Sequence, residues 1–173
     1  AFVLAMKAPT FCLRYLPSHG PGLDQEFHRF CEAAWITSRL WMFVDELPEV
    51  SKPSKAPPLW RKCLNVGREY VCPRDGKEGW LYIIAAGQRP AECDKSTFSN
   101  ADVIHTGRLT FRTDCREMSK LLDVPEQEVQ QLPDLHWIER RAGEANPVKG
   151  VLTFGRNAPS KKKPPAPRAA NKS

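Results

Sequence analysis

The sequence holds no run of about 20 apolar residues, so no bilayer-spanning helix is expected. Its most apolar window, CEAAWITSRLWMFV, carries Glu32 and Arg39 and is too short to cross a membrane. The strong catalytic signatures are missing too: there is no GxSxG, no GxxxxGK[ST] phosphate loop, no GxGxxG and no HExxH. No CxxC pair occurs, and the interval from Cys63 to Cys72 fits no zinc ribbon. His28 and Cys31 fall one helical turn apart, but two ligands do not make a structural zinc site. The six cysteines, at positions 12, 31, 63, 72, 93 and 115, are too sparse for a disulfide scaffold and are expected as reduced, buried or partly buried thiols. These absences predict a non-enzymatic protein with no cofactor, no metal and no small-molecule substrate.

What is present is proline and unevenly placed charge. Sixteen prolines in 173 residues is about twice the usual proportion. The net charge is +6, yet Lys161, Lys162, Lys163, Arg168 and Lys172 supply five of those charges, with no acid among them. Without this tail the chain is nearly neutral, at +1. The excess therefore sits on an appended basic arm and not on a basic face. The sequence begins at Ala1 and not at Met, which agrees with removal of an import peptide.

The spacing of apolar and breaker residues predicts an α+β chain: a small body with one long amphipathic helix, antiparallel hairpins, a short C-terminal helix pair and extended terminal arms. Residues 1–22 read as an N-terminal arm ending in the turn-rich LPSHGPG. Residues 23–47 read as the long helix, with Asp24 as N-cap, apolar positions recurring every three or four residues, and Pro48 as its stop. PEVSKPSKAPP, residues 48–58, reads as a Pro/Lys linker of extended conformation. Residues 59–157 form the body. There REYVCP and GWLYIIAAG flank the turn RDGKE as one hairpin, and ADVIHTGRLTFRT reads as a second with its bend at Thr106-Gly107. Asp114 and Glu117 have capping-box spacing, and Pro125 opens a second short helix. LHWIERR and VKGVLTFG read as closing strands, and residues 158–173 are the basic Pro-rich tail.

The helix pair in DCREMSKLLDVPEQEVQQLPDLHW resembles a helix-turn-helix, and with its flanking strands it resembles a LysM-type module. Glu126 and Glu128 would repel phosphate, so the pair is expected instead to pack Met118, Leu122, Val129 and Leu132 on a sheet. Trp60-Arg61-Lys62 joins an aromatic to two cations, and Trp137 precedes Arg140 and Arg141, the residue types that interleave in single-strand binders. A Lys/Pro/Ala tail has nothing to bury, so it orders only against a polyanion. A small body with such an extension looks like a ribosomal protein. That resemblance implies a peripheral, lineage-specific mitochondrial ribosomal protein. Its partners would be rRNA and neighbouring ribosomal proteins. The cations expected on rRNA phosphates are Lys161, Lys162, Lys163, Arg168 and Lys172, with Lys52, Lys55, Arg61, Lys62, Arg140 and Arg141. Protein contacts are expected through Trp35, Trp41 and Phe43 on the helix 24–47. The alternative is an accessory subunit of a respiratory-chain or other large mitochondrial assembly.

Overall fold

The computed structural model describes residues 10–17 and 20–154. The chain is α+β. It runs α1 (Leu23–Thr37), β1 (Leu40–Val44), α2 (Leu47–Val50), α3 (Pro58–Val66), β2 (Tyr70–Val71), β3 (Glu78–Gly79), β4 (Leu81–Ala85), a 3₁₀ turn (Pro90–Glu92), α4 (Lys95–Ser99), β5 (Val103–Thr106), α5 (Arg112–Leu122), α6 (Glu126–Gln130), β6 (His136–Arg141) and β7 (Val148–Val151). Among the described residues no helix is long and apolar enough to cross a membrane.

Helix α1 buries Phe27, Cys31, Ala34 and Trp35, a stripe at four-, three- and one-residue steps. Its N-cap is Gly22 in the left-handed region, while Asp24 and Glu26 lie in the first turn, where carboxylates suit the helix dipole. The helix ends well short of Leu47. The Ser38 N–H closes on Ala34 O, and Ser38 and Arg39 both take positive φ, 60° and 53°. That reversal throws the next five residues into a strand. Met42 and Val44 turn inward while Trp41 and Phe43 turn outward, the period-two pattern of a pleated chain. The expected helix over 23–47 is thus a helix, a left-handed break, a strand and one short helical turn. A continuous apolar run has no period that separates the inside of a parallel sheet from a broad helix face.

Strand β1 pairs with β4 in parallel, Leu40 opposite Leu81 through Val44 opposite Ala85. The predicted hairpin around RDGKE exists but is brief: β2 and β3 share only the Tyr70–Gly79 and Val71–Glu78 pairs. Past Gly79 the chain leaves that hairpin to join β1. The second predicted hairpin does not form. Strand β5 pairs instead with β6, which in turn pairs with β7, both antiparallel. Helices α5 and α6 form as expected and bury Met118, Leu122, Val129, Leu132 and Ile138 in one cluster beneath this sheet. Asp114 is not a cap, because α5 begins after Phe111. Its carboxylate serves another segment.

The segment read as a linker, 48–58, is packed: Pro48, Val50, Ser51, Ala56 and Pro57 are buried. Its prolines set turns around a core that also holds Phe27, Trp35, Met42, Leu47, Trp60 and Leu81. All six cysteines are free. Cys31, Cys63, Cys72, Cys93 and Cys115 are buried, and Cys12 is exposed. Burial, with Asp114 and Glu92 nearby, pushes the Cys93 thiol up to about 11. A disulfide-exchange reagent is therefore expected to titrate one thiol rapidly in the folded chain and the other five only after denaturation. Fast reaction at two or more sites contradicts this core.

Candidate functional site

In sheets with parallel strands, ligands bind beyond the carboxyl ends of the strands. Here the chain leaves β1 through Asp45 and Glu46. It leaves β4 through Ala86, Gly87 and Gln88. Two backbone bonds carry the pairing past the strand ends: the Ala86 N–H donates to Val44 O and the Leu47 N–H donates to Ala86 O, each at 2.8 Å. The two exits therefore run side by side. Gln88 Nε2 donates to Glu46 Oε1 at 3.1 Å, linking residues 42 positions apart in sequence. Because an ionised carboxylate only accepts, the amide nitrogen must face Glu46, which leaves the Gln88 carbonyl oxygen as a further acceptor.

Backbone conformation marks the same place. Glu46 sits at φ 51°, ψ 49°, in the left-handed region, which disfavours a residue with a side chain by about 1–2 kcal/mol. Such strain persists where the surroundings hold it, commonly at functional positions. Asp45 Oδ1 accepts the Glu46 N–H at 3.0 Å. Gly87 has to be glycine for lack of room: a Cβ there would lie 2.7 Å from Pro48 Cδ. Both acids and Gln88 are exposed. The site is an open, water-accessible pair of carboxylates with an amide beside one of them.

Arg89 follows directly. Its Nε donates to Asp114 Oδ2 at 2.8 Å, an Nη pairs with Glu92 Oε1 at 2.8 Å, and its guanidinium lies 4.3 Å from the centroid of the Phe111 ring. Beyond the acids, the outward face of the parallel pair is covered by no element among the described residues. Trp41, Phe43, Tyr82 and Ile84 are 57%, 69%, 50% and 48% exposed. Strands paired in parallel ordinarily have both faces covered.

Of the cations expected on rRNA, six lie among the described residues. Lys161, Lys162, Lys163, Arg168 and Lys172 lie outside the described residues. Lys52 and Lys55 are exposed on the turn before α3. Lys62 holds its ammonium 4.4 Å from the Trp35 ring centroid. Arg140 donates to Leu121 O at 3.3 Å and Arg141 to Glu139 at 2.8 Å. Trp60 is fully buried and stacks no base. Of the three residues expected to bind partners, Trp35 is core, and Trp41 and Phe43 lie on the outward strand face.

Arg61 belongs to a hub around a buried acid. Asp94 accepts Arg61 Nη2 at 2.9 Å, the Ser54 N–H at 3.1 Å and the Ser96 N–H at 3.0 Å, capping α4. Burial pushes the Asp94 carboxyl up, but hydrogen bonds from Ser96 and Arg61 outweigh it and hold the group below its ordinary 3.8. A lowered folded value means that the unfolded chain binds the proton first. The stabilisation is complete above 3.8 and is lost as pH falls through the folded value. Asp94→Asn should lower stability at neutral pH and flatten the acid limb of a stability–pH curve. An unchanged limb contradicts the arrangement.

The residues missed by sequence reasoning are Asp45, Glu46, Gln88, Arg89 and Asp114. The usable signal was an apolar run ending in adjacent acids, LWMFVDE, with a second such run ending in a polar amide, LYIIAAGQ.

No protein-family model matches the chain. Protein P9 of Pseudoalteromonas phage PM2 is 28% identical over 141 residues, covering 76% of this chain and 60% of that protein. The genome-packaging NTPase B204 of Sulfolobus turreted icosahedral virus 2, in complex with AMPPCP, matches with a TM-score of 0.61 at 17% identity, over 76% of this chain and 63% of that one. The DNA-packaging ATPase B204 of Sulfolobus turreted icosahedral virus matches at 0.58 and 13% identity, over 76% and 62%. The chain thus spans less than two thirds of the length of each of these relatives. The fold resembles that of these viral packaging NTPases. These likenesses overturn the expectation of a ribosomal or mitochondrial-assembly component. They also overturn rRNA and ribosomal proteins as partners and the reading of a non-enzymatic protein.

Proposed function

We propose that this chain forms the metal- and water-handling half of a nucleoside triphosphatase that drives viral genome packaging. The observation that carries the reading is the meeting of Glu46 with Gln88 beyond the carboxyl ends of two parallel strands, with Asp45 alongside. A packaging-NTPase fold is consistent with it.

The carboxylates fit Mg²⁺. Among the described residues the Glu46 N–H is the donor to Asp45 and reaches Oδ1, leaving Oδ2 available, and Mg²⁺ is ordinarily held by one or two carboxylates. Among the described residues no three His, Cys, Asp or Glu side chains converge as a closed cage. Asp45 would hold the ion, whose positive charge would supply electrostatic stabilisation to the phosphate under attack. Glu46 accepts a hydrogen bond from the attacking water and draws its proton. The Gln88 amide fixes one Glu46 oxygen, leaving the other to face the water. No GxxxxGK[ST] pattern occurs in these 173 residues, so the reading requires a phosphate cradle from outside them. The outward face of Trp41, Phe43, Tyr82 and Ile84 is where the element bearing that cradle would seat.

The test is nucleoside triphosphate hydrolysis by the native polypeptide that carries these residues. Glu46→Gln should stop turnover, and Asp45→Asn should raise the Mg²⁺ concentration needed for half-maximal rate. Wild-type turnover by Glu46→Gln removes the reading.

A further inference from the structure

Asp114 is the most enclosed carboxylate of the described residues, 1% exposed, yet it serves neither the helix that carries it nor a cap. Both of its oxygens are committed to the segment that follows Gln88. Oδ2 accepts Arg89 Nε at 2.8 Å and Oδ1 accepts the Ala91 N–H at 2.9 Å. The Arg89 guanidinium is also held by Glu92 and covers the Phe111 ring. Residues 89–91 are thus gripped at a side chain and at the backbone by one buried group.

The grip acts one residue from the candidate site. Upstream, residues 86–87 are locked beside β1 by the Ala86 and Leu47 backbone bonds and by the contact of Gly87 with Pro48. Downstream, residues 89–91 are locked by Asp114. Gln88 alone between these anchors makes its contact through a side chain, to Glu46. Asp114 lies in the first turn of α5, the helix whose Met118 and Leu122 pack in the core under the β5–β6–β7 sheet. The sheet unit and the candidate site therefore share this joint.

Resting on the hydrolase reading above, we infer that Asp114 is a positioning residue: through Arg89 and the Ala91 amide it sets Gln88 against Glu46 and ties the site to the α5/β5–β7 unit. It touches neither nucleotide nor water. Its effect on the reaction passes through Gln88.

The experiment is a double-mutant cycle in the native polypeptide carrying these residues, reading kcat and KM for ATP together with the melting temperature. Asp114→Asn keeps the shape but weakens the hold on Arg89. It should lower kcat by about ten- to a hundredfold, the scale of an ångström-sized misplacement, with KM changed by no more than about twofold. Gln88→Ala should lower kcat comparably. The combined variant should have the kcat of Gln88→Ala alone while still melting lower than it, since the structural effect of Asp114 remains when its catalytic effect has nothing left to act on. Should Asp114→Asn fail to fold, Arg89→Ala, in which Asp114 retains the Ala91 amide, replaces it in the same cycle. Multiplying kcat effects, an unaffected Gln88→Ala, or a lowered melting temperature with normal kcat each overturns the inference. Full hydrolysis by Glu46→Gln removes the hydrolase reading and this inference together. Impaired Glu46→Gln beside normal kcat in the Asp114 variant removes the inference alone.

Discussion

Glu46→Gln is expected to leave the native polypeptide folded and able to bind nucleotide but almost unable to hydrolyse it. The substitution is nearly isosteric, and Glu46 is exposed, so little packing is lost. What changes is basicity. A carboxylate can draw a proton from water as the water attacks, whereas an amide cannot. Positioned general-base catalysis contributes about 10²–10⁴-fold in rate, and a loss of that order in kcat is the expected reading. Nucleotide affinity should change little, because Glu46 acts on the water and not on the phosphates in the ground state. The bond to Gln88 would survive in altered form, since the carbonyl of the substituted amide can still accept from Gln88 Nε2. The slow variant should therefore accumulate with nucleotide bound. Steady-state hydrolysis and equilibrium nucleotide binding, measured side by side, decide it. A parallel fall in both points to a binding carboxylate, and an unchanged kcat removes the hydrolase reading.

Trp60→Ala is expected to unfold the chain or bring it close to unfolding. The indole is completely buried between α1 and α3, with its ring centroid 5.4 Å from that of Phe27. Truncating a core aromatic costs about 3–5 kcal/mol through lost transfer energy and the cavity left behind. Domains hold only about 5–15 kcal/mol in total. For a chain of this size each kcal/mol lowers the melting temperature by about 2–4 °C, so a fall of about 10 °C or complete loss of the cooperative transition is expected. Nε1 makes no hydrogen bond, so no stranded partner adds to the loss. Trp41→Ala is the control: on an exposed strand face it should move the transition of this chain only slightly. Equal small shifts for both would mean that Trp60 is a surface residue, as a stacking role would require.

How far each region could be read depends on how local its determinants are. Helices α5 and α6 were legible because Met118, Leu122, Val129 and Leu132 repeat at helical spacing and Pro125 interrupts them. The strands β6 and β7 are short, well-bounded stretches, His136–Arg141 and Val148–Val151. In the first third of the chain, Leu40 to Val44 resumes the apolar density of α1 after only Thr37, Ser38 and Arg39. The helix ends there because Ser38 and Arg39 turn left-handed, and no Gly or Pro announces it. In the same way, Val103–Thr106 has a turn beside it and was expected to pair locally, but its partner is β6, some thirty residues on.

Local pattern was enough for the short-range elements, for the free thiols as an expectation, and for the adjacency of Asp45 and Glu46. It took the folded chain to lay β1 and β4 in parallel, to bring Gln88 to Glu46, and to close Asp114 on Arg89. The difference lies in the kind of pairing. A parallel strand finds its partner through a crossover, and its pattern is a bare apolar run that carries no period and no address. The chemistry then gathers where two such strands end, between residues whose only relation along the chain is distance.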